Sequence, residues 1–234
     1  FNYERFVQAN SLEFSFGGDF GAEGLKPGVD IIGKDAAWDA PLAPYFDMAE
    51  IAWNNAGTML AYTCKPLTGT EYAVSTDSDI FVYVLENGVT QNICKPVNVN
   101  TGEPIADMAT MAGYDKYPVW SPDDRQIAFL SQRRAGNESD KARLFLYDCQ
   151  TAQMQDLTED FDYNAMNVVW SGSDMLYFIA PIEATHQICR IAPSVGEVEV
   201  VTRGDHDINA FSMAGDRIAA EMCTISMATE FFEI

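Results

Sequence analysis

A pattern of apolar strand, aromatic residue, polar turn and second apolar strand occurs four times along the chain. Alternating apolar runs that are separated by turn residues are typical of antiparallel β-hairpins. A unit that recurs in this way indicates a repeat architecture. The four units cover residues 50–63, 117–131, 167–180 and 209–222, and their aromatic residues are Trp53, Trp120, Trp170 and Phe211.

The turns of these units contain residues that favour tight turns. Pro122 presets the backbone for the second position of a turn, and Asn55-Ala56-Gly57 contains residues that tolerate a positive φ. Glu86-Asn87-Gly88 predicts a further hairpin between two alternating runs. Third and fourth strands are predicted in three units, over residues 79–94, 143–158 and 186–202.

Four antiparallel strands in each repeat, at a spacing near 40 to 50 residues, are typical of a β-propeller blade. A β-sandwich also has many short strands, but it has no reason to repeat this unit four times. We therefore predict an all-β fold: a partial β-propeller of about four to five blades, without a hydrolase domain. The chain is predicted to form one propeller domain, with N-terminal strands of a preceding or closing blade in residues 1–46, blades in residues 47–97, 114–158 and 166–202, and an incomplete blade in residues 207–234.

The charge of the chain argues against two classes of partner. The formal net charge is −21, from 35 acidic and 14 basic residues. Nucleic acids and anionic membrane surfaces are bound mainly through Lys and Arg, so we expect neither as a partner. No apolar run approaches the ~20 residues of a membrane span. The chain begins with Phe1 rather than Met, so we expect any signal segment to have been lost with the missing start.

Cysteine spacing does not indicate a disulfide framework or a zinc site. Five cysteines are scattered singly, and none of them forms a Cys-x-x-Cys pair. Most of them lie in or beside apolar runs, which favours buried free thiols. We predict no cofactor and no metal for this chain.

Three segments carry a resemblance to a known family: residues 75–88 (STDSDIFVYVLENG), residues 113–148 (beginning GYDKYPVWSPDDRQ) and residues 157–178 (beginning LTEDFDYN). They resemble the propeller domain of prolyl-oligopeptidase-family serine peptidases, namely dipeptidyl aminopeptidases and acylaminoacyl peptidases, and more narrowly the bacterial dipeptidyl peptidase 5 type. The resemblance extends over residues 35–207. The sequence departs from the family pattern Gly-Tyr-Glu-Ala-Asp at two positions. Asn137 replaces the aromatic tyrosine, and Ser139 replaces the alanine.

This resemblance implies a two-part parent enzyme. Its propeller would cap an α/β-hydrolase domain that carries Ser, Asp and His and cleaves short peptides, often in the periplasm or after secretion. The chain itself has no G-x-S-x-G nucleophile elbow. We interpret His186 and His206 as loop or strand-edge residues rather than as catalytic bases, and expect no catalytic residue here.

The predicted substrate-binding residues lie in the long connections. These cover residues 64–78, 95–116 and 132–142, and the short turns occupy the opposite face. By resemblance, Glu138 would hold the cationic amine of a free peptide N-terminus; the alternative is a solvent-facing or loop-bracing carboxylate. Asp140 and Arg143 are predicted to contact substrate or, alternatively, to pair and brace the loop. Tyr72 and, less directly, Ser75-Thr76-Asp77 could contact the ligand from the neighbouring connection.

Two functions follow as hypotheses. In the first, this is the non-catalytic propeller portion of a serine exopeptidase that releases dipeptides or acyl-amino acids, acting as substrate gate and N-terminus anchor. In the second, it is a stand-alone propeller that binds a protein partner. A sugar-cleaving propeller would need two inward carboxylates ~5–10 Å apart, which no feature of the sequence selects.

Overall fold

The computed structural model describes residues 50–95, 111–137 and 139–234. These residues form fifteen β-strands and one short helix, α1 (Gly69–Val74). The strands are β1 (Ile51–Trp53), β2 (Met59–Cys64), β3 (Asp79–Val84), β4 (Val89–Asn92), β5 (Asp115–Trp120), β6 (Gln126–Ser131), β7 (Arg143–Asp148), β8 (Met154–Asp156), β9 (Met166–Ser171), β10 (Met175–Ile182), β11 (Thr185–Ile191), β12 (Val198–Val200), β13 (Asp207–Ala214), β14 (Arg217–Thr224) and β15 (Met227–Glu233).

The strands form four antiparallel sheets in chain order. Three of them are four-stranded meanders, β1–β4, β5–β8 and β9–β12, and the fourth has three strands, β13–β15. Each strand pairs with its neighbour in sequence, as expected for propeller blades. The predicted all-β, partial-propeller class is confirmed for the described residues. The strands predicted in residues 1–46 lie outside the described residues.

Successive sheets pack face to face through apolar side chains. The first and second sheets enclose one cluster, which includes Ile80, Val82, Ile127 and Phe129. The second and third sheets enclose another cluster around Phe178. A third, smaller cluster lies between the third and fourth sheets. Burial between consecutive repeats therefore supplies the core, and this requires apolar residues on both faces of an inner blade.

The repeated tryptophan has a structural role that the alternation of apolar residues alone does not suggest. The indole Nε1–H of Trp120 donates to the backbone oxygen of Ala52 at 3.0 Å, in the first strand of the preceding sheet. Trp170 repeats this bond to Val119 at 3.2 Å. Each indole thus buries its ring and satisfies its polar N–H across a boundary between sheets. Trp53 starts this series and is 55% exposed.

A second link between sheets joins the short turns. The carboxylate of Asp124 accepts hydrogen bonds from the backbone amides of Asn55 at 2.6 Å and Ala56 at 2.9 Å. Burial alone would raise the pKa of Asp124, but these hydrogen bonds outweigh it and hold the pKa below its usual value. The two turns are therefore fastened to each other while Asp124 is ionised.

No disulfide joins any of the five cysteines, and Cys64, Cys94 and Cys189 are buried, as predicted. Within residues 50–95, 111–137 and 139–234, no helix is long and apolar enough to cross a membrane.

Candidate functional site

Two long connections meet at one end of the first two sheets, which we call the loop face. Residues 65–78 join β2 to β3 and include α1, and residues 132–142 join β6 to β7. The backbone amide of Gly136 donates to the Thr76 hydroxyl at 3.0 Å, so the two connections contact each other. The sequence predicted long connections here, but it did not predict the contact or the helix.

Asp140 braces its own loop. Its carboxylate forms an ion pair with Arg134 and accepts a hydrogen bond from the Asn137 amide at 2.5 Å. Its backbone oxygen accepts from Gln132 Nε2 at 2.8 Å. Hydrogen bonding to Arg134 is the main cause of its lowered pKa. Asp140 is therefore an ionised carboxylate that is already occupied by two partners from its own loop.

Arg143 lies elsewhere and has a different partner. Its guanidinium donates to Asp156 at 2.7 Å, and its cationic carbon lies 4.7 Å from the centre of the Phe145 ring. The ion pair that the sequence suggested between Asp140 and Arg143 is therefore wrong, because Arg143 begins β7 and pairs across to β8. Direct contact of either residue with substrate stays a prediction.

Tyr72 is a half-buried residue of α1. The ammonium of Lys65 lies 4.1 Å from the centre of its ring, a distance suited to a cation–π interaction. Burial lowers the pKa of Lys65, whereas the negative charge of Asp77 opposes that change. Tyr72 therefore belongs to the loop face, as the sequence predicted, with its ring against a lysine.

Glu138, the predicted amine anchor, lies outside the described residues. Its neighbour Asn137 is held by Asp140, and Gly136 is held by Thr76. The chain is thus fastened on the N-terminal side of Glu138 to both long connections.

A buried polar cluster on the loop face was missed by sequence reasoning. The ammonium of Lys95 lies 2.5 Å from Asp77 Oδ1 and 2.9 Å from Asp79 Oδ1. Cys94 and Asp115 complete the group, and one ligand atom each from Asp79, Cys94 and Asp115 lie within 4.8 Å of one another. Burial raises the pKa of Asp115 to about 8. The only sequence signal is a polar residue at the end of each of several apolar strands.

A second polar group lies where the third and fourth sheets meet. His186 Nδ1 is 2.8 Å from Asp207 Oδ1, and the same oxygen accepts from the His186 backbone amide at 2.9 Å. Hydrogen bonding to the imidazole is the main cause of the lowered pKa of Asp207. His186 also lines a cavity of about 160 Å³ with Asn167 and Asn209. This histidine is oriented by a carboxylate, which the sequence did not indicate.

Comparison with known proteins identifies close sequence relatives. No family model matches the chain. It is 32% identical over 211 residues to a dipeptidyl-peptidase 5 of Porphyromonas gingivalis, and 31% identical over 211 residues to that of Porphyromonas endodontalis. Each alignment covers 90% of this chain but only 29% and 28% of the respective relative. The chain thus spans less than a third of the length of these curated relatives.

Solved structures with the same fold are more distant in sequence. An acylaminoacyl peptidase from Pyrococcus horikoshii matches with a TM-score of 0.55 at 16% identity, over 79% of this chain and 25% of that one. TolB from Acinetobacter baumannii matches with a TM-score of 0.51 at 17% identity, over 79% of this chain and 40% of that one. At this identity the likeness shows the fold alone. The resemblance read from the sequence is confirmed: this chain is a homologue of the dipeptidyl-peptidases 5 and has the propeller fold found in acylaminoacyl peptidases.

Proposed function

We propose that this chain is the non-catalytic propeller portion of a serine exopeptidase that releases dipeptides or acyl-amino acids from short peptides. In this proposal the propeller gates access of the substrate and anchors its N-terminus. The partner is an α/β-hydrolase domain of the same parent protein. Homology to dipeptidyl-peptidases 5 over 90% of the chain supports the class of activity. We also propose that the parent acts in the periplasm or is secreted.

The braced loop face is the observation that carries the anchoring role. An anchor must sit at a fixed distance from the scissile bond, because this distance decides how many residues are removed. Fastening of Gly136 to Thr76, and of Asn137 to Asp140, restrains the approach to Glu138. A carboxylate at that position would attract a cationic amine through a charge-assisted hydrogen bond.

Labelling of the source cells tests the peptidase assignment. The cells are treated with a fluorophosphonate probe that labels active-site serines, and protein is captured with an antibody against this chain. We expect a labelled band much heavier than 25.9 kDa. An unlabelled band at 25.9 kDa would instead identify a stand-alone propeller that binds a partner. Fractionation of the same cells tests the periplasmic or secreted location.

Substitution of Glu138 by glutamine in the intact parent enzyme tests the anchor. Loss of a hydrogen bond to a charged group costs about 1.5–3 kcal/mol, so kcat/KM for a peptide with a free amine should fall by about 10- to 100-fold. Cleavage of the same peptide with an acetylated N-terminus should change little. Glu71→Gln, at an exposed residue of α1, is the matched control and should leave both rates unchanged. Equal effects of Glu138→Gln on both peptides would contradict anchoring without affecting the peptidase assignment.

A further inference from the structure

Three buried potential metal ligands converge where the first and second sheets meet on the loop face. Asp79 is the first residue of β3, Cys94 follows β4, and Asp115 is the first residue of β5. One carboxylate oxygen of each aspartate and the Cys94 sulfur lie within 4.8 Å of one another. Asp79 and Asp115 are at most 1% exposed, and Cys94 is fully buried.

Equivalent residues in the next two blades show that the role of Cys94 in folding does not require a sulfur atom. The Cys94 sulfur accepts a hydrogen bond from the Ile80 backbone amide at 3.3 Å. The equivalent acceptors in the next two blades are the hydroxyls of Thr158, bonded to Leu144 at 2.8 Å, and Thr202, bonded to Ile188 at 2.9 Å. The fold therefore needs an acceptor at this position, and threonine satisfies that need. A thiol is not required for folding.

The two carboxylates distinguish this boundary from the other two described boundaries. Two equivalent positions can be compared between the blades. One is the residue directly before the third-strand residue whose backbone amide donates this hydrogen bond. The other position is the residue that lies five residues before the repeated aromatic residue of the following blade. These positions are occupied by Asp79 and Asp115 at the first boundary, by Arg143 and Ala165 at the second, and by Gln187 and His206 at the third.

The buried carboxylate of Asp115 is poorly supplied with hydrogen bonds. Neither of its oxygens accepts a hydrogen bond of acceptable geometry, although the Ser131 hydroxyl and the Cys94 thiol are near enough to favour its charged form. Lys95 contributes one positive charge and contacts Asp79 and Asp77. Lys65 also interacts with Asp77, so two ammonium groups face three carboxylates at this boundary. A buried carboxylate without well-formed hydrogen bonds destabilises the fold unless it is protonated or meets a cation.

We propose that Asp79, Cys94 and Asp115 bind a divalent cation of the zinc type. Thiolate and carboxylate ligands together suit Zn²⁺, which takes four ligands in a tetrahedron. Three protein ligands leave the fourth position to a solvent oxygen. Asn92 donates to Asp79 Oδ2 at 2.8 Å, and together with Lys95 it orients this ligand from outside the site. The cation would fasten the first sheet to the second directly beneath the loop face.

Titration of the full chain with metal tests the site. The protein is treated with a chelator, desalted under reducing conditions and titrated with Co²⁺ and then with Zn²⁺. We expect one equivalent to bind, with a near-ultraviolet thiolate–Co²⁺ absorption that Zn²⁺ abolishes, and a rise in melting temperature. Cys94→Thr should remain folded, because threonine fills the same position in two other blades, and should lose both the absorption and the rise.

Two further variants complete the test. Asp115→Asn, which preserves shape, should weaken Zn²⁺ binding by about tenfold or more. Cys223→Thr, at a half-buried cysteine of the fourth sheet, is the matched control and should bind as the unaltered chain does. Absence of binding by the unaltered chain, or undiminished binding by both Cys94→Thr and Asp115→Asn, would overturn the proposal. In the first case Asp115 would be a protonated carboxylic acid instead.

Discussion

Replacing Trp120 by alanine is expected to lower the free energy of unfolding by about 3–5 kcal/mol, as is usual for a large buried aromatic residue. Trp120 is only 6% exposed, and it packs between the first and second sheets. The substitution removes this packing and also leaves the Ala52 carbonyl without its indole donor. Chemical denaturation of the full chain, followed by circular dichroism, measures the change.

Two other tryptophan variants separate the causes. Trp120→Phe keeps most of the apolar volume but removes the N–H donor, so it should cost about 1–3 kcal/mol. Trp53→Ala alters a ring that is 55% exposed and should cost no more than about 1 kcal/mol. If Trp53→Ala and Trp120→Ala were equally destabilising, the tryptophans would not act across the boundaries between sheets.

Gly113→Ala is expected to destabilise the chain by at least about 3 kcal/mol. An added Cβ would lie 1.8 Å from the backbone oxygen of Gln132 and 2.5 Å from its carbonyl carbon. The backbone on both sides is tied down, because Gly113 accepts from the Ser78 amide at 3.1 Å and the Gln132 amide donates to Tyr114 at 3.2 Å. Relief of the clash would therefore require the residues just before β5 to separate from the connection between β6 and β7. Thermal and chemical unfolding measure the loss.

Gly196→Ala provides the comparison for this glycine. Gly196 has a φ of +75° with open space where a Cβ would be, so alanine should cost only the backbone strain of about 1–2 kcal/mol. If Gly113→Ala lowered the free energy of unfolding no more than Gly196→Ala does, the backbone around Gly113 and Gln132 would be able to separate at little cost.

The propeller class could be predicted because its determinants are local. Continuous apolar runs in β6 and β7, together with turn residues such as Pro122, specify each hairpin within a few residues. Repetition then implies that neighbouring units bury their faces against each other. The hydrogen bond from the Trp170 indole to the Val119 backbone oxygen explains why tryptophan recurs in the repeat. The sequence shows that tryptophan recurs, but it does not show which group accepts this hydrogen bond.

The loop face could be predicted only in part, because its contacts join residues that are distant in sequence. The connections over residues 65–78 and 132–142 were located correctly, whereas the one predicted over residues 95–116 lies largely outside the described residues. The partner of Asp140 is Arg134, which lies in the same loop, rather than Arg143. Cys94 and Asp115 lie in different sheets, and each is a single polar residue at the end of an apolar run. Isolated residues of this kind form no spacing motif, so the sequence predicted no metal. A comparison of equivalent positions between blades would have singled out Cys94 against two threonines.

The position shared by Cys94, Thr158 and Thr202 bears on how such a repeat can acquire new chemistry. Each side chain accepts a hydrogen bond from the equivalent backbone amide of its own blade. Either sulfur or oxygen can therefore serve as the acceptor. An exchange of cysteine and threonine at this position is therefore expected to change the free energy of unfolding little. Duplicated blades can thus diverge at this position one at a time, and reactive groups can be gained or lost without first destabilising the scaffold.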